Sequence, residues 1–101
     1  MAWKISFVPA AAKELKKLGR DEAARIITTL EKRISTLDDP RTLGSALTGE
    51  FGGLWRWRIG DYRVIARIDD KRITILVVRV GHRREVYRQQ IETPGNPYLP
   101  R

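Results

Sequence analysis

The stretch LWRWRIGDYRVIARI, residues 54–68, constrains the fold of this chain more than any other segment. Trp55, Trp57 and Ile59 alternate with Arg56 and Arg58, Gly60-Asp61 interrupts, and alternation resumes with Tyr62, Val64 and Ala66 set against Arg63, Ile65 and Arg67. A period of two marks a half-buried strand, and Gly-Asp between two such runs marks a two-residue hairpin turn. That turn leaves one register: Ile59 opposite Tyr62, Arg58 opposite Arg63, Trp57 opposite Val64, and Arg56 opposite Ile65. One face carries Trp55, Trp57, Ile59, Tyr62, Val64 and Ala66 and must be the core side. The other collects Leu54, Arg56, Arg58, Arg63, Ile65 and Arg67.

The rest of the chain supplies layers for this hairpin. WKISFV, residues 3–8, alternates and reads as a strand, and Pro9 suits the first position of a helix because it has no amide hydrogen to leave unpaired. That helix is expected to bury Ala12, Leu15 and Leu18 and to stop at Gly19. A second helix, capped by Asp21, carries Ile27, Leu30 and Ile34 at intervals of three and four and ends at DDP, residues 38–40. Only a few residues join the two, which predicts a helical hairpin. Residues 41–53 show no sustained period and read as a loop with Leu43 and Leu47 tucked against the core. A further strand is expected at 73–80, where ITILVV is nearly continuous apolar, as for a strand buried on both faces or central in its sheet.

The predicted class is therefore α+β, a small, mostly antiparallel sheet packed against an N-terminal helical hairpin in the order β-α-α-β-β-β. With 101 residues there is room for one core, assigned to residues 1–92. The Pro-rich end TPGNPYLPR, residues 93–101, is expected to be extended or flexible. The chain has no cysteine, hence no thiolate chemistry, and no apolar run long enough for a membrane span, so a cytoplasmic address without membrane association is expected. No metal or cofactor signature occurs.

Charge is unevenly placed. Residues 1–53 hold nine Lys/Arg against seven Asp/Glu (+2), residues 54–88 ten against four (+6), and residues 89–101 one of each, which makes up the total of +8. A concentrated positive field points to a polyanionic partner. Strand arginines usually belong to the solvated face of a sheet. Here no carboxylate interrupts that face until Asp69, and arginine is used throughout, whose planar fork matches phosphate oxygens two at a time. A second dense patch, VGHRREVYRQ, spans residues 80–89. His82 there has a side chain able to titrate near neutrality, but a lone histidine beside arginines reads first as a hydrogen-bonded structural residue.

The helical hairpin, GLWRWRIGDYRVIARI and ILVVRVGHRREVYR together resemble the RelE toxins of the RelE/ParE superfamily, the toxic halves of bacterial type II toxin–antitoxin pairs, over about residues 3–89. The resemblance implies a RelE-like fold and a ribosome-dependent endoribonuclease that cuts messenger RNA in the ribosomal A site through the 2′-hydroxyl of the RNA, without metal. It places the family's catalytic set at Arg56, Arg58, Arg63, Arg83 and Tyr87, with Arg67, His82, Arg84 and Arg88 as RNA contacts. It also implies a cognate antitoxin protein, in a toxin–antitoxin hetero-oligomer, besides the ribosome and its message. Better-studied members carry lysine where Arg56 and Arg58 stand, and arginine cannot readily give up its proton, so proton abstraction has no assigned residue. Two alternatives remain open on the sequence: a ParE-like inhibitor of DNA gyrase, and an RNA-binding module that leaves RNA intact.

Overall fold

A computed structural model describes residues 2–84, ordered β1 (Lys4–Phe7), α1 (Pro9–Lys17), α2 (Arg20–Thr29), β2 (Ser45–Ala46), β3 (Trp55–Ile59), β4 (Tyr62–Asp69) and β5 (Thr74–His82). Residues 85–101, including the Pro-rich end, lie outside the described residues. The five strands form one mixed sheet in the order β1-β5-β4-β3-β2. β1 runs parallel to β5 and every other neighbouring pair is antiparallel. The α+β class, with two helices against one sheet, is as the alternation and the helical spacing predict.

The hairpin takes the expected register, with Ile59↔Tyr62, Arg58↔Arg63, Trp57↔Val64 and Arg56↔Ile65. Gly60 has φ 59°, which the first central residue of a two-residue turn with Gly leading requires and a side chain would resist. Trp57, Ile59, Val64 and Ala66 are buried together with Ala11, Leu15, Ile26, Leu30, Ile34, Ile75, Val77 and Val80, so the core lies between the helices and one face of the sheet. Leu54 and Ile65 form a second small cluster on the opposite face, with Leu47 and Val78 packed against it.

Several local expectations are corrected. Gly19, at φ 94°, is the residue before α2, and the Ala23 amide donates to its carbonyl (3.0 Å), so the helix starts at Arg20 and Asp21 sits inside its first turn. There the carboxylate favours the positive end of the helix dipole instead of capping it. Ala11, not Ala12, is buried in α1 beside Leu15, and Leu18, just past its end, is only partly covered. Leu43 is 50% exposed, because the chain turns away from the core after the buried Pro40. The segment read wholly as loop contains β2, which pairs with β3 at Ser45↔Arg56 and Ala46↔Trp55.

Past α2 the chain widens into a π-helical turn, Leu30–Ile34, closed by the Ser35 amide donating to the Leu30 carbonyl (2.7 Å). Leu30 and Ile34 thereby both stay buried, and Ser35 turns inward, its hydroxyl donating to the Trp3 carbonyl while the Trp3 amide donates back to Ser35 (2.8 Å). This contact fastens the start of β1 to the helical layer.

β5 is an interior strand, lying between β1 and β4 and extending to His82, two residues past its predicted end; the central strand of the five is β4. A bulge interrupts its pairing: Ala66 faces Val77 but Ile65 faces Arg79, leaving Val78 as the extra residue. Strict alternation from Ile75 and Val77 would have turned Arg79 into the core. The bulge turns Val80 inward in its place and carries Arg79 to the arginine face.

Candidate nucleic-acid interface

The side of the sheet turned away from the helices is organised in rows set by the strand registers. At the hairpin end, Arg58 of β3, Arg63 of β4 and Gly81 of β5 lie side by side. The next row holds Arg56, Ile65 and Arg79, and the one beyond it Arg67, Leu76 and Ser6 of β1. Arginine thus stands at both ends of the row through Ile65 and doubly in the row before it. Opposed like charges on neighbouring strands sit with Cβ atoms about 5 Å apart and cost some tenths of a kcal/mol. An anion laid between them removes that cost.

The guanidinium of Arg63 is held back over the turn, donating through one Nη to the carbonyls of Gly60 (3.2 Å) and Tyr62 (3.0 Å). Arg58 is exposed, at the strand edge that β2 leaves uncovered beyond Arg56. It also borders a cavity of about 140 Å³ shared with Thr29, Arg33, Ile34, Leu43 and Trp57. Past the end of β5, the Arg83 amide donates to the Asp61 carbonyl (2.8 Å), which fixes the Arg83 backbone beside the hairpin turn and therefore beside Arg58 and Arg63. Gly81 is the residue paired with Arg63 in this row and brings no side chain of its own.

Arg79, which sequence reasoning left out, belongs to the same face. Its guanidinium meets Oε2 of Glu14 at 3.1 Å, with side chains only 13% and 22% exposed. Oε1 of Glu14 accepts the Val80 amide at 2.9 Å. β1 ends at Phe7, so Glu14 from α1 supplies the acceptor that a longer β1 would have given to the edge of β5. An arginine inside the apolar run LVVRV was the available signal, since such a residue needs a bulge or an edge to reach solvent.

His82 lies across from Tyr62, on the helix side of the sheet, with the two rings edge-to-face at 6.0 Å between centroids. Its Nδ1 accepts the Arg84 amide (3.3 Å), so it shapes the turn that carries Arg83 and Arg84 and does not share a face with Arg56, Arg58 and Arg63. The Tyr62 pKa is raised above the ordinary phenol value: burial disfavours its anion, and the Glu22 carboxylate, which it hydrogen-bonds, and Asp61 add to this against the opposing pull of Arg25. Arg67 is exposed, four residues from Arg63 on the same side of β4. Tyr87 and Arg88 lie outside the described residues.

Chemically the described face offers donors and positive charge. Guanidinium groups carry only N–H donors and cannot ligate a cation, whereas they pair well with phosphate. Among the described residues no group of three or more His, Cys, Asp or Glu side chains gathers to hold a metal ion.

Comparison with known proteins identifies the family. Residues 5–87 match the family model described as the ParE toxin of the type II toxin–antitoxin system parDE. The chain is 32% identical over 89 residues to the toxin RelG of Mycobacterium tuberculosis, covering 88% of this chain and all of that one. It is 29% identical over 99 residues to the toxin RelE of the same organism, covering 98% and 94%. Among solved structures it is similar to the RelBE2 toxin–antitoxin complex of M. tuberculosis, with a TM-score of 0.74 and 29% identity over 81% of this chain and 92% of that one. Sequence and fold thus converge, and the chain belongs to the ParE toxin family of the RelE/ParE superfamily, the toxins of type II toxin–antitoxin systems.

Proposed function

We propose that this toxin is a ribosome-dependent endoribonuclease that cuts messenger RNA in the ribosomal A site. The observation that carries the reading is the grouping of Arg58, Arg63 and the Arg83 backbone at the hairpin end of the sheet. In the reaction, the 2′-oxygen of the RNA attacks the adjacent phosphorus and the bond to the 5′-oxygen breaks, leaving a 2′,3′-cyclic phosphate and a 5′-hydroxyl. The 2′-hydroxyl proton leaves with a base and the 5′-oxygen gains a proton. Charge grows on the phosphorane oxygens, and fixed guanidinium donors stabilise that charge with little reorganisation. Arg63 and Arg83 take this role, while Arg56 and Arg58 hold flanking phosphates.

No described residue on this face is a good proton acceptor, since arginine remains charged far above neutral pH. Tyr87 is assigned to stack on or orient a base, or to shuttle the proton, by its match to the family's motif. A site poor in acid–base groups depends heavily on geometry, and holding the RNA in line for attack is what a ribosome-bound message provides. A cognate antitoxin is the partner this reading requires, and relatives solved as RelBE complexes support it.

A second reading, inhibition of DNA gyrase, is favoured by the matched family model, whose description names ParE. Primer extension on a translated message separates the two, with the purified toxin added to stalled ribosomes and, in parallel, to naked RNA. Codon-phased cuts on ribosomes alone support the endoribonuclease. No cuts from a toxin that arrests growth and blocks supercoiling support the gyrase reading.

A further inference from the structure

The arginine face continues beyond the proposed reaction centre into a pocket of about 260 Å³ at the far end of the sheet. Its walls come from three strands and one turn: Lys4 and Ser6 of β1, Thr74 and Leu76 of β5, Arg67 and Asp69 of β4, and Arg72 of the β4–β5 turn. The registers explain why they meet. Ser6 lies beside Leu76, which lies beside Arg67, and Lys4 lies beside Thr74, which lies beside Asp69, all turned away from the core. Ile5 and Phe7, the alternate residues of β1, pack against the core instead.

Three cations and one carboxylate leave this pocket with a net charge of +2 (three minus one). The carboxylate is engaged locally: Asp69 Oδ1 accepts the Arg72 amide at 3.2 Å, and its Oδ2 lies 3.9 Å from Arg72 Nε. Asp69 thus fixes the turn that brings Arg72, its side chain 84% exposed, to the pocket. Thr74 donates its hydroxyl to the Arg72 carbonyl (2.9 Å), bracing the same turn. Arg67 reaches the pocket from β4, four residues and about 13 Å along the strand from Arg63.

We infer that this pocket is a second phosphate subsite, which holds the RNA backbone a few nucleotides from the cleaved bond. The inference rests on the endoribonuclease reading and extends it. A strand crossing from the Arg58–Arg63 row toward β1 passes Arg56, and Arg79 with its Glu14 partner, and arrives at Arg67, Lys4 and Arg72, where Asp69 lines the pocket. The apolar floor of Leu76 and the volume suit a phosphate with part of its ribose, and the cations hold it with no base preference. Position of the message then depends on two anchors, one at each end of β4, which orients the scissile phosphate better than one anchor can.

The test measures binding apart from cleavage. Fluorescence anisotropy of a labelled oligouridylate with wild type and the double variant Lys4→Gln/Arg72→Gln, between roughly 50 and 200 mM salt, reports the number of phosphates neutralised. The slope of log affinity against log salt is expected to fall by about 1.4 in the variant, at about 0.7 per lost single-strand contact. In parallel, amide chemical shifts of wild-type Ser6, Thr74 and Leu76 are expected to move on addition of the same RNA. An unchanged slope, or shifts confined to residues 56–63, overturns the subsite even where ribosomal cleavage proceeds. A fallen slope and moving amides, with no cleavage of ribosomal message, retain the phosphate subsite and overturn the endoribonuclease reading alone. If RNA leaves these amides unmoved while an oligoglutamate peptide shifts them, the pocket serves an acidic protein and the inference falls.

Discussion

Arg58 and Arg63 stand directly opposite one another across the β3–β4 hairpin. Their side chains share the solvent face while Trp57 and Val64, one step further from the turn, share the core. A fold chosen for stability alone would place a carboxylate at one of these positions. Arg58→Gln is accordingly expected to leave urea stability within about 0.5 kcal/mol of wild type, or to raise it slightly, because an exposed like-charge pair is relieved. The same variant is expected to cut ribosomal message more slowly. A loss of stability above that range would show that Arg58 supports the fold.

The register of that pair was legible because Gly60-Asp61 admits only one turn length between two alternating runs. The interior place of β5 was legible too, from its nearly unbroken apolar run, although the middle strand is β4. What stayed hidden depends on backbone irregularities that single residues do not announce. The bulge at Val78 decides that Arg79 faces out and His82 faces Tyr62. The positive φ of Gly19 starts α2 one residue before its first acidic side chain. β2 is two residues long and pairs with residues far along the chain, so no period could mark it. For the candidate site, Arg56, Arg58, Arg63 and Arg67 followed from alternation, whereas Arg79 required the bulge, Lys4 the parallel pairing of β1, and Arg72 the geometry of the β4–β5 turn.

Glu14 is expected to be the most stability-sensitive charged residue near the interface. It satisfies the Val80 amide and pairs with Arg79, both largely shielded from water. Glu14→Ala deprives a buried amide of its acceptor and is expected to cost about 1–3 kcal/mol. Glu14→Gln retains an acceptor for Val80 while losing the ionic contact, so its cost in a urea titration should be the smaller of the two. Equal costs would assign the whole effect to Arg79.

Asp70 gives the fold a pH dependence with a definite sign. Its carboxylate accepts from both Nη atoms of Arg41, at 3.2 and 2.7 Å, and this hydrogen bonding, outweighing a smaller effect of desolvation, holds its pKa below the usual carboxylate value. Arg41 also stacks over the Trp55 ring, 5.7 Å from its centroid, so the contact ties the 38–44 segment to β3 and to the β4–β5 turn. A lowered folded pKa contributes stability that is complete above the unfolded value of about 3.9 and is lost as pH falls through the folded one. Asp70→Asn is therefore expected to melt below wild type at neutral pH, with the two melting temperatures converging as pH drops under about 4. A gap that persists in acid would mean that the carboxylate's charge is not what Arg41 reads.

Arg83 offers the cleanest separation of function from folding. Its backbone, not its side chain, is what the structure uses: the amide donates to the Asp61 carbonyl at 2.8 Å and closes the end of the β4–β5 ladder, while the side chain is exposed. Arg83→Ala keeps that amide, so its unfolding midpoint should fall within about 0.5 kcal/mol of wild type. The guanidinium lost is one of those proposed to meet the developing phosphorane charge, and removal of a single such donor costs about 100- to 1000-fold in rate where it acts on the transition state. Growth arrest should therefore be relieved by a protein that remains folded, and Arg83→Lys should restore only part of it, because a lysine brings the charge without the fork. Full toxicity in the folded alanine variant would remove Arg83 from the reaction and leave that role to Arg63, which pairs with Gly81 across the sheet.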